Sequence, residues 1–261
     1  HKKTYRLQVA DYDGYNARTI LTSSQPIMSP VWSPNGKHIA YVSFESGQAV
    51  IYSNHLATGK RRVISHYPGL NNAPAWSPNG KRIALVLSIS GSPKIYIKNL
   101  QTGKLTQITH GLSIDTEPAW SPNGKSLLFT SNRGGSPQIY QVNINSNKIQ
   151  RITFSGTYNA RPSFMPNGKA VVVLHHGTQG TYGIALQNLA TEQLQVLTQS
   201  EYDQSPSVAP NGQLIIYSLK NTDNRFVLAI VSRNGQIKLR LPTQDGSVRE
   251  PAWSPLLRYK T

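Results

Sequence analysis

The sequence predicts an all-β chain: a six-bladed β-propeller of four-stranded antiparallel blades, with the N- and C-terminal segments sharing one blade. Three observations predict it. A proline-led motif recurs six times at a nearly constant interval. Each full interval reads as four short strands. The two chain ends supply parts of one further blade. Self-similarity at a period of about 40–45 residues, with four strands per unit, is the mark of radially stacked sheets that bury one another's faces.

The motif is clearest in Pro30-Val31-Trp32-Ser33-Pro34-Asn35-Gly36-Lys37, and it returns from Pro74 to Lys81 and from Pro118 to Lys125. Weaker copies run from Pro162 to Lys169 and from Pro206 to Gln213, and a shortened one runs from Pro251 to Pro255. Successive first prolines lie 44, 44, 44, 44 and 45 residues apart. Within a repeat, strand A is the short tryptophan-bearing segment after the first proline. Pro-Asn-Gly then makes a tight hairpin, with proline presetting φ and glycine taking the left-handed position.

Strand B follows, as in Ile39–Ser43 or Leu127–Ser131. A glycine-containing loop leads to strand C, as in Lys94–Ile97 or Gln138–Val142. A second turn, such as Thr102-Gly103-Lys104, leads to strand D, as in Leu105–Thr109. No stretch has a helical period. Residues 1–261 therefore read as a single domain without an internal linker.

At the ends, Tyr5–Val9 aligns with strand C and Arg18–Leu21 with strand D, while Pro251–Pro255 aligns with strand A. Strand B of that blade has no candidate. The expectation is that this chain is an excerpt of a longer protein, lacking an upstream domain and a signal peptide.

Composition narrows the chemistry. There is no cysteine, which excludes thiolate nucleophiles, cysteine-ligated zinc and iron–sulfur clusters and demands no particular redox compartment. No apolar run approaches the roughly 18 residues of a membrane span. The formal charge is +16, a balance that favours acidic partners.

Propeller topology assigns the charges to faces. The segments before each strand A ring the channel mouth; the A–B and C–D turns lie on the reverse face. Residues 25–29, 69–73, 113–117, 157–161, 201–205 and 246–250 hold Asp115, Glu117, Glu201, Asp203 and Glu250, five of the eleven carboxylates. They hold only Arg161 and Arg249 among 27 basic residues. The reverse face receives Lys37, Lys60, Arg61, Lys81, Lys104, Lys125, Lys148 and Lys169. The expectation is a polarised disc, with an acidic mouth for a partner and a basic back. The plainer reading of the basic turns is hairpin chemistry and a guard against aggregation.

Other constellations point away from catalysis. His175 and His176 are adjacent, so on a strand they face opposite ways and cannot chelate one ion simply. Trp32, Trp76, Trp120 and Trp253 share one repeat position, which suits packing between blades. No G-x-S-x-G elbow, P-loop or H-E-x-x-H motif occurs. Oxygen ligands converging on a channel could hold Ca²⁺, which takes about 6–8 of them; otherwise no cofactor is expected. The alternatives that stay open are an enzyme or ligand-binding propeller with a site in the channel, and a binder of anionic surfaces.

More specific segments carry a family resemblance. The opening Leu7–Asn16, the stretches Ser29–Pro34 and Ala40–Gly47, the segments Thr116–Pro118, Gln141–Asn145 and Gln150–Thr153, and the ending Leu241–Gly246 with Pro251–Pro255 resemble the propeller of the TolB family over essentially the whole chain. The resemblance implies a soluble periplasmic scaffold of the Tol–Pal envelope system, without enzymatic activity. It implies a small N-terminal domain ahead of the propeller, as well as roles in outer-membrane integrity and cell division.

The partners it implies are the peptidoglycan-associated lipoprotein Pal at the channel mouth, other Tol proteins, and colicin-like peptides. It implies neither nucleic acid nor membrane insertion, and a monomer. The Pal-contacting loops align with Leu70-Asn71-Asn72-Ala73 and Thr116-Glu117; the family usually carries His at the position of Leu70. With the mouth segments, this gives a candidate site of Met28, Ser29, Leu70, Asn71, Asn72, Ala73, Asp115, Thr116, Glu117, Asn159, Arg161, Asp203, Ser205, Arg249 and Glu250. The strong positive charge departs from the family pattern.

Overall fold

The tight Pro-Asn-Gly turn organises each blade, with a serine before it in blades 1 to 3. In blade 1 the Ser33 hydroxyl donates to Asn35 Oδ1 (2.7 Å) and accepts from the His38 amide (2.9 Å), while Asn35 Oδ1 accepts from the Lys37 amide (3.0 Å). Gly36 closes the turn at φ 67°, a left-handed value that a Cβ disfavours. The same bonds recur at Ser77-Asn79 and Ser121-Asn123.

The computed structural model describes residues 3–177, 180–200, 202–242 and 246–256. Blade 1 comprises strands A–D at Ile27–Trp32, His38–Ser43, Val50–His55 and Arg61–Ser65. Blade 2 comprises Asn71–Trp76, Arg82–Leu87, Lys94–Asn99 and Leu105–Gln107. Blade 3 comprises Asp115–Trp120, Ser126–Ser131, Gln138–Asn143 and Ile149–Arg151. Blade 4 comprises Tyr158–Phe164, Ala170–His176, Tyr182–Asn188 and Leu194–Val196. Blade 5 comprises Gln204–Val208, Leu214–Lys220, Phe226–Ser232 and Lys238–Arg240. Within each sheet, sequence neighbours pair antiparallel in the order A-B-C-D.

The core lies between sheets. Strand B is the most buried: Ser126–Ser131 is buried at every position, as expected for a strand covered on both faces. Fully burying one such Leu or Ile stabilises the fold by roughly 1.5–3 kcal/mol. Neighbouring blades share clusters, as where Ala84, Val86 and Ile95 of blade 2 pack with Leu127, Phe129 and Tyr140 of blade 3. Trp120 joins that cluster, and its indole N–H donates to the Ala75 carbonyl of the preceding blade (2.9 Å). Strand D is outermost and wet; Lys238–Arg240 is exposed throughout.

The expected blade count is corrected. The described residues form five four-stranded blades, not six; the further sheet is a two-stranded ribbon, Tyr5–Val9 with Arg18–Ser23. The reason is one of pairing. In every complete blade strand A bonds only to strand B. No described segment supplies strand B beside Pro251–Ser254, so that segment has no ladder and forms no strand.

Discrete bonds fasten it instead. Trp32 Nε1 donates to the Ala252 carbonyl (3.1 Å), repeating the Trp120–Ala75 bond. The Trp253 amide donates to Ser207 Oγ (3.0 Å), and the Val248 amide to the Phe226 carbonyl (2.9 Å). The segment thereby bridges blade 5 and blade 1. The ribbon packs Leu7, Val9, Ile20 and Leu21 against Ile39 and Tyr41 of blade 1.

Candidate functional site

Each strand A carries a bulge just before its proline. The register shifts between Met28 and Val31, Asn72 and Ala75, Thr116 and Ala119, Ala160 and Ser163, and Gln204 and Ser207. Proline has no N–H to give the ladder and is tolerated at such irregularities. The residue before it is left-handed every time: Ser29 (φ 51°), Ala73 (45°), Glu117 (56°), Arg161 (52°), Ser205 (53°), and Glu250 (54°) in the unpaired segment. None is glycine, so each costs roughly 1–2 kcal/mol. Strain held at one repeated position marks a place where side chains are being aimed.

The amides freed by the bulge find side-chain acceptors. Ser29 N–H donates to Glu250 Oε2 (2.5 Å), Ala73 N–H to Asn72 Oδ1 (2.7 Å), and Arg161 N–H to Glu117 Oε2 (2.9 Å). The side chains then link across blades. The Arg161 guanidinium meets Glu117 Oε1 (3.3 Å), Glu250 Oε1 (3.6 Å) and Ser205 Oγ (2.5 Å). Glu117 also accepts from Thr130 Oγ1 (2.8 Å), and Ser29 Oγ donates to Asn72 Oδ1 (3.4 Å). Two carboxylates thus share one guanidinium, leaving the cluster one negative charge in excess.

The other candidate residues fall into a second group. Asn71, Asp115, Asn159 and Asp203 occupy one repeat position and are all buried. Asn71 accepts from Ser65 Oγ (2.7 Å) and the Tyr67 amide (2.9 Å). Asp115 takes Arg133 (3.0 Å) and the fully buried Lys94 (3.9 Å). Asn159 donates to Gln138 Oε1 (2.8 Å) and to the Ser155 carbonyl (2.8 Å). Asp203 accepts from the Thr198 hydroxyl and from Ser200 Oγ (2.5 Å), and burial pushes its pKa up. These four tie the start of strand A to the connection before it.

Of the five carboxylates placed at the mouth, Glu117 and Glu250 reach Arg161, Asp115 and Asp203 are enclosed, and Glu201 lies outside the described residues. Met28 and Leu70 are half-buried against the core, the Leu70 amide donating to Ser88 Oγ (2.8 Å). Thr116 is half-buried, and Arg249 is exposed with its guanidinium 3.8 Å from the Phe226 ring centroid.

Sequence reasoning missed the surroundings of the ring. On the same face, the connection before blade 3 and its B–C loop frame a cleft of about 480 Å³ lined by His110, Leu112, Ser113, Asn132 and Arg133. Leu112 is 98% exposed, and Ile89, Ile114, Phe154 and Tyr202 are exposed in neighbouring connections of that face. A signal was available: each of these apolar residues stands in a loop, where polar residues are the rule.

His175 and His176 both lie in strand B of blade 4 and bond apart, Nδ1 of the first to Asn159 Oδ1 (2.9 Å) and Nδ1 of the second to Thr157 Oγ1 (2.9 Å). Burial, then the neighbouring His176, lowers the His175 pKa. Among the described residues, no three of His, Asp and Glu converge closely enough to hold a metal ion.

Comparison with known proteins gives a consistent picture. The family model described as "TolB beta propeller domain" matches residues 1–257. A Tol-Pal system protein TolB from Methylococcus capsulatus is 58% identical over 71 residues, 27% of this chain and 17% of that protein. The crystal structure of TolB from Acinetobacter baumannii superposes with a TM-score of 0.92 at 43% identity, covering 96% of this chain and 63% of that one. The chain therefore spans less than two thirds of the TolB it superposes on. A putative TolB from Agrobacterium tumefaciens, at 22% identity and TM-score 0.80, shares the fold.

Proposed function

Because the chain belongs to the TolB β-propeller domain family, we propose that it is the partner-binding scaffold of a Tol–Pal system, working in the periplasm and binding the lipoprotein Pal at the mouth of the ring. The carrying observation is the family match across residues 1–257. The role is one of adhesion, without catalysis: holding Pal, with other Tol proteins, serves outer-membrane integrity and cell division, and colicin-like peptides would exploit the same mouth.

The geometry supports where the partner sits. A strained inner ring displays Ser29, Asn72, Ala73, Thr116, Glu117, Arg161, Ser205 and Glu250, with Met28, Leu70 and Arg249 beside it. Apolar Ile89, Leu112, Ile114, Phe154 and Tyr202 stand around that polar centre. Apolar anchors beside a fixed charge pattern are what a specific protein interface uses. Asn71, Asp115, Asn159 and Asp203 serve it from behind by fixing where each strand A begins.

Isothermal titration against the soluble domain of Pal tests the proposal. Glu117→Gln keeps an acceptor for the Arg161 amide and removes the charge, and is expected to weaken binding about tenfold. Unchanged affinity would remove the mouth as the site; failure of the unaltered chain to bind Pal would remove the function.

A further inference from the structure

The face opposite the mouth carries its own order. The A–B turns of successive blades touch: a Cβ built on Gly80 would lie 3.5 Å from Pro34, on Gly124 3.8 Å from Pro78, on Gly168 3.8 Å from Pro122, and on Gly212 3.3 Å from Pro166. The residues that follow Gly36 and these four glycines are Lys37, Lys81, Lys125, Lys169 and Gln213. Four exposed ammonium groups are thus presented side by side on adjoining turns. Lys60, Lys104 and Lys148, exposed at the C–D turns, add an outer arc on the same face.

None of these seven lysines has an ion-pair partner among the described residues. The described carboxylates of this face are Asp11, Asp13 and Glu192, and the first two bond within their own hairpin, to Asn16 Nδ2 (2.6 Å) and to the Tyr15 amide (3.1 Å). Crowding like charges on one face is unfavourable in isolation and becomes favourable against an anionic surface.

Three further features choose among anionic surfaces. The charges are lysines, compact and mobile, which suit a diffuse negative layer better than bidentate recognition of one group. Turn tips on the same face expose Tyr12 (73%), Tyr15 (61%) and Ile237 (54%), side chains that settle at the level of lipid headgroups. The described residues place one aromatic pocket between these turns, about 360 Å³ with His38, Trp76 and Arg62 in its wall, a single site and not the succession of stacking platforms that single-stranded nucleic acid needs.

We propose that the reverse face docks on a bilayer surface rich in anionic phospholipid, with the lysine arcs over the phosphates and Tyr12, Tyr15 and Ile237 at the interface. Vesicle flotation of the 261-residue chain tests this. Binding is expected to phosphatidylcholine vesicles containing about a third phosphatidylglycerol, to vanish on pure phosphatidylcholine, and to fall steeply as salt rises to about 0.5 M.

The combined variant Lys37→Glu, Lys81→Glu, Lys125→Glu, Lys169→Glu is expected to bind at least about a hundredfold more weakly. Each turn keeps its backbone bond to the preceding asparagine, and an unchanged melting temperature verifies the fold. Tyr12→Ser with Tyr15→Ser should lower binding severalfold without altering its salt dependence. Glu117→Gln, on the other face, should leave flotation untouched, which separates this proposal from the one above. Equal flotation on neutral vesicles, retention by the four-lysine variant, or capture by an RNA homopolymer without any vesicle binding would overturn it.

Discussion

Asp115 and Asp203 stand at the same point of two blades, both sealed from water, yet their surroundings differ in kind. Asp115 faces two cations, Lys94 and Arg133. Asp203 has only hydroxyls, from Thr198 and Ser200. In blade 4 the same pair of positions holds Gln138 and Asn159, an amide pair with no charge at all. Four blades thus keep hydrogen bonding at this junction while the charge varies, and blade 1 fills the same position with Ile27, packed beside Ile39 and Tyr41. What decides whether a carboxylate there stabilises or strains the chain is the residue opposite it.

Breaking the Asp115 side should have the largest effect. Asp115→Asn leaves Lys94 buried without a counter-charge and is expected to cost about 3–5 kcal/mol in denaturant unfolding. Adding Lys94→Gln recreates the blade 4 pair and should restore most of that loss. A double variant no more stable than Asp115→Asn would show that the two positions do not act as a pair.

Asn71→Asp should be next. It sets a carboxylate oxygen against the Tyr67 and Gly69 carbonyls that now accept from Nδ2. The expected loss at neutral pH is about 2–3 kcal/mol, shrinking in acid as the new group is protonated.

The smallest effect should have the opposite sign. Burial holds the Asp203 carboxyl above its ordinary value of 3.8. Its protonated form is thus the better folded one: that stabilisation is complete below pH 3.8 and is lost as pH rises through the raised folded value. Asp203→Asn should raise stability at neutral pH by about 1 kcal/mol, with the gain fading toward pH 3.8 in melting curves. A neutral-pH loss would mean that the hydroxyl bonds outweigh the buried charge.

The repeat made most of this architecture readable. The interval between prolines and the Pro-Asn-Gly turns located the five complete blades, and the runs Ile39–Ser43 and Leu127–Ser131 located strand B of blades 1 and 3. The sixth copy misled because it shows a strand A without the neighbour it must pair with, and a lone strand gains no ladder.

At the candidate site, the segments before each proline were visible, but their division of labour was not. Period-2 alternation puts Asp115 and Glu117 on one side of the strand. The bulge at Thr116 breaks that alternation, turning one carboxylate into the blade junction and the other toward Arg161. Glycine would have advertised the left-handed residue; Ser29, Ala73, Glu117, Arg161, Ser205 and Glu250 share only their place before a proline, which by itself favours extended backbone.

Among the described residues, the clasp between blade 5 and blade 1 differs in kind from the joins between the other neighbouring blades. Everywhere else, parting neighbours means stripping apolar side chains from a shared interior. Here the hydrogen bonds among the described residues come from an indole, a serine hydroxyl, a glutamate and one main-chain contact. Glu250 also meets Arg161 (3.6 Å), so a single carboxylate belongs both to this fastening and to the charge cluster of the inner ring.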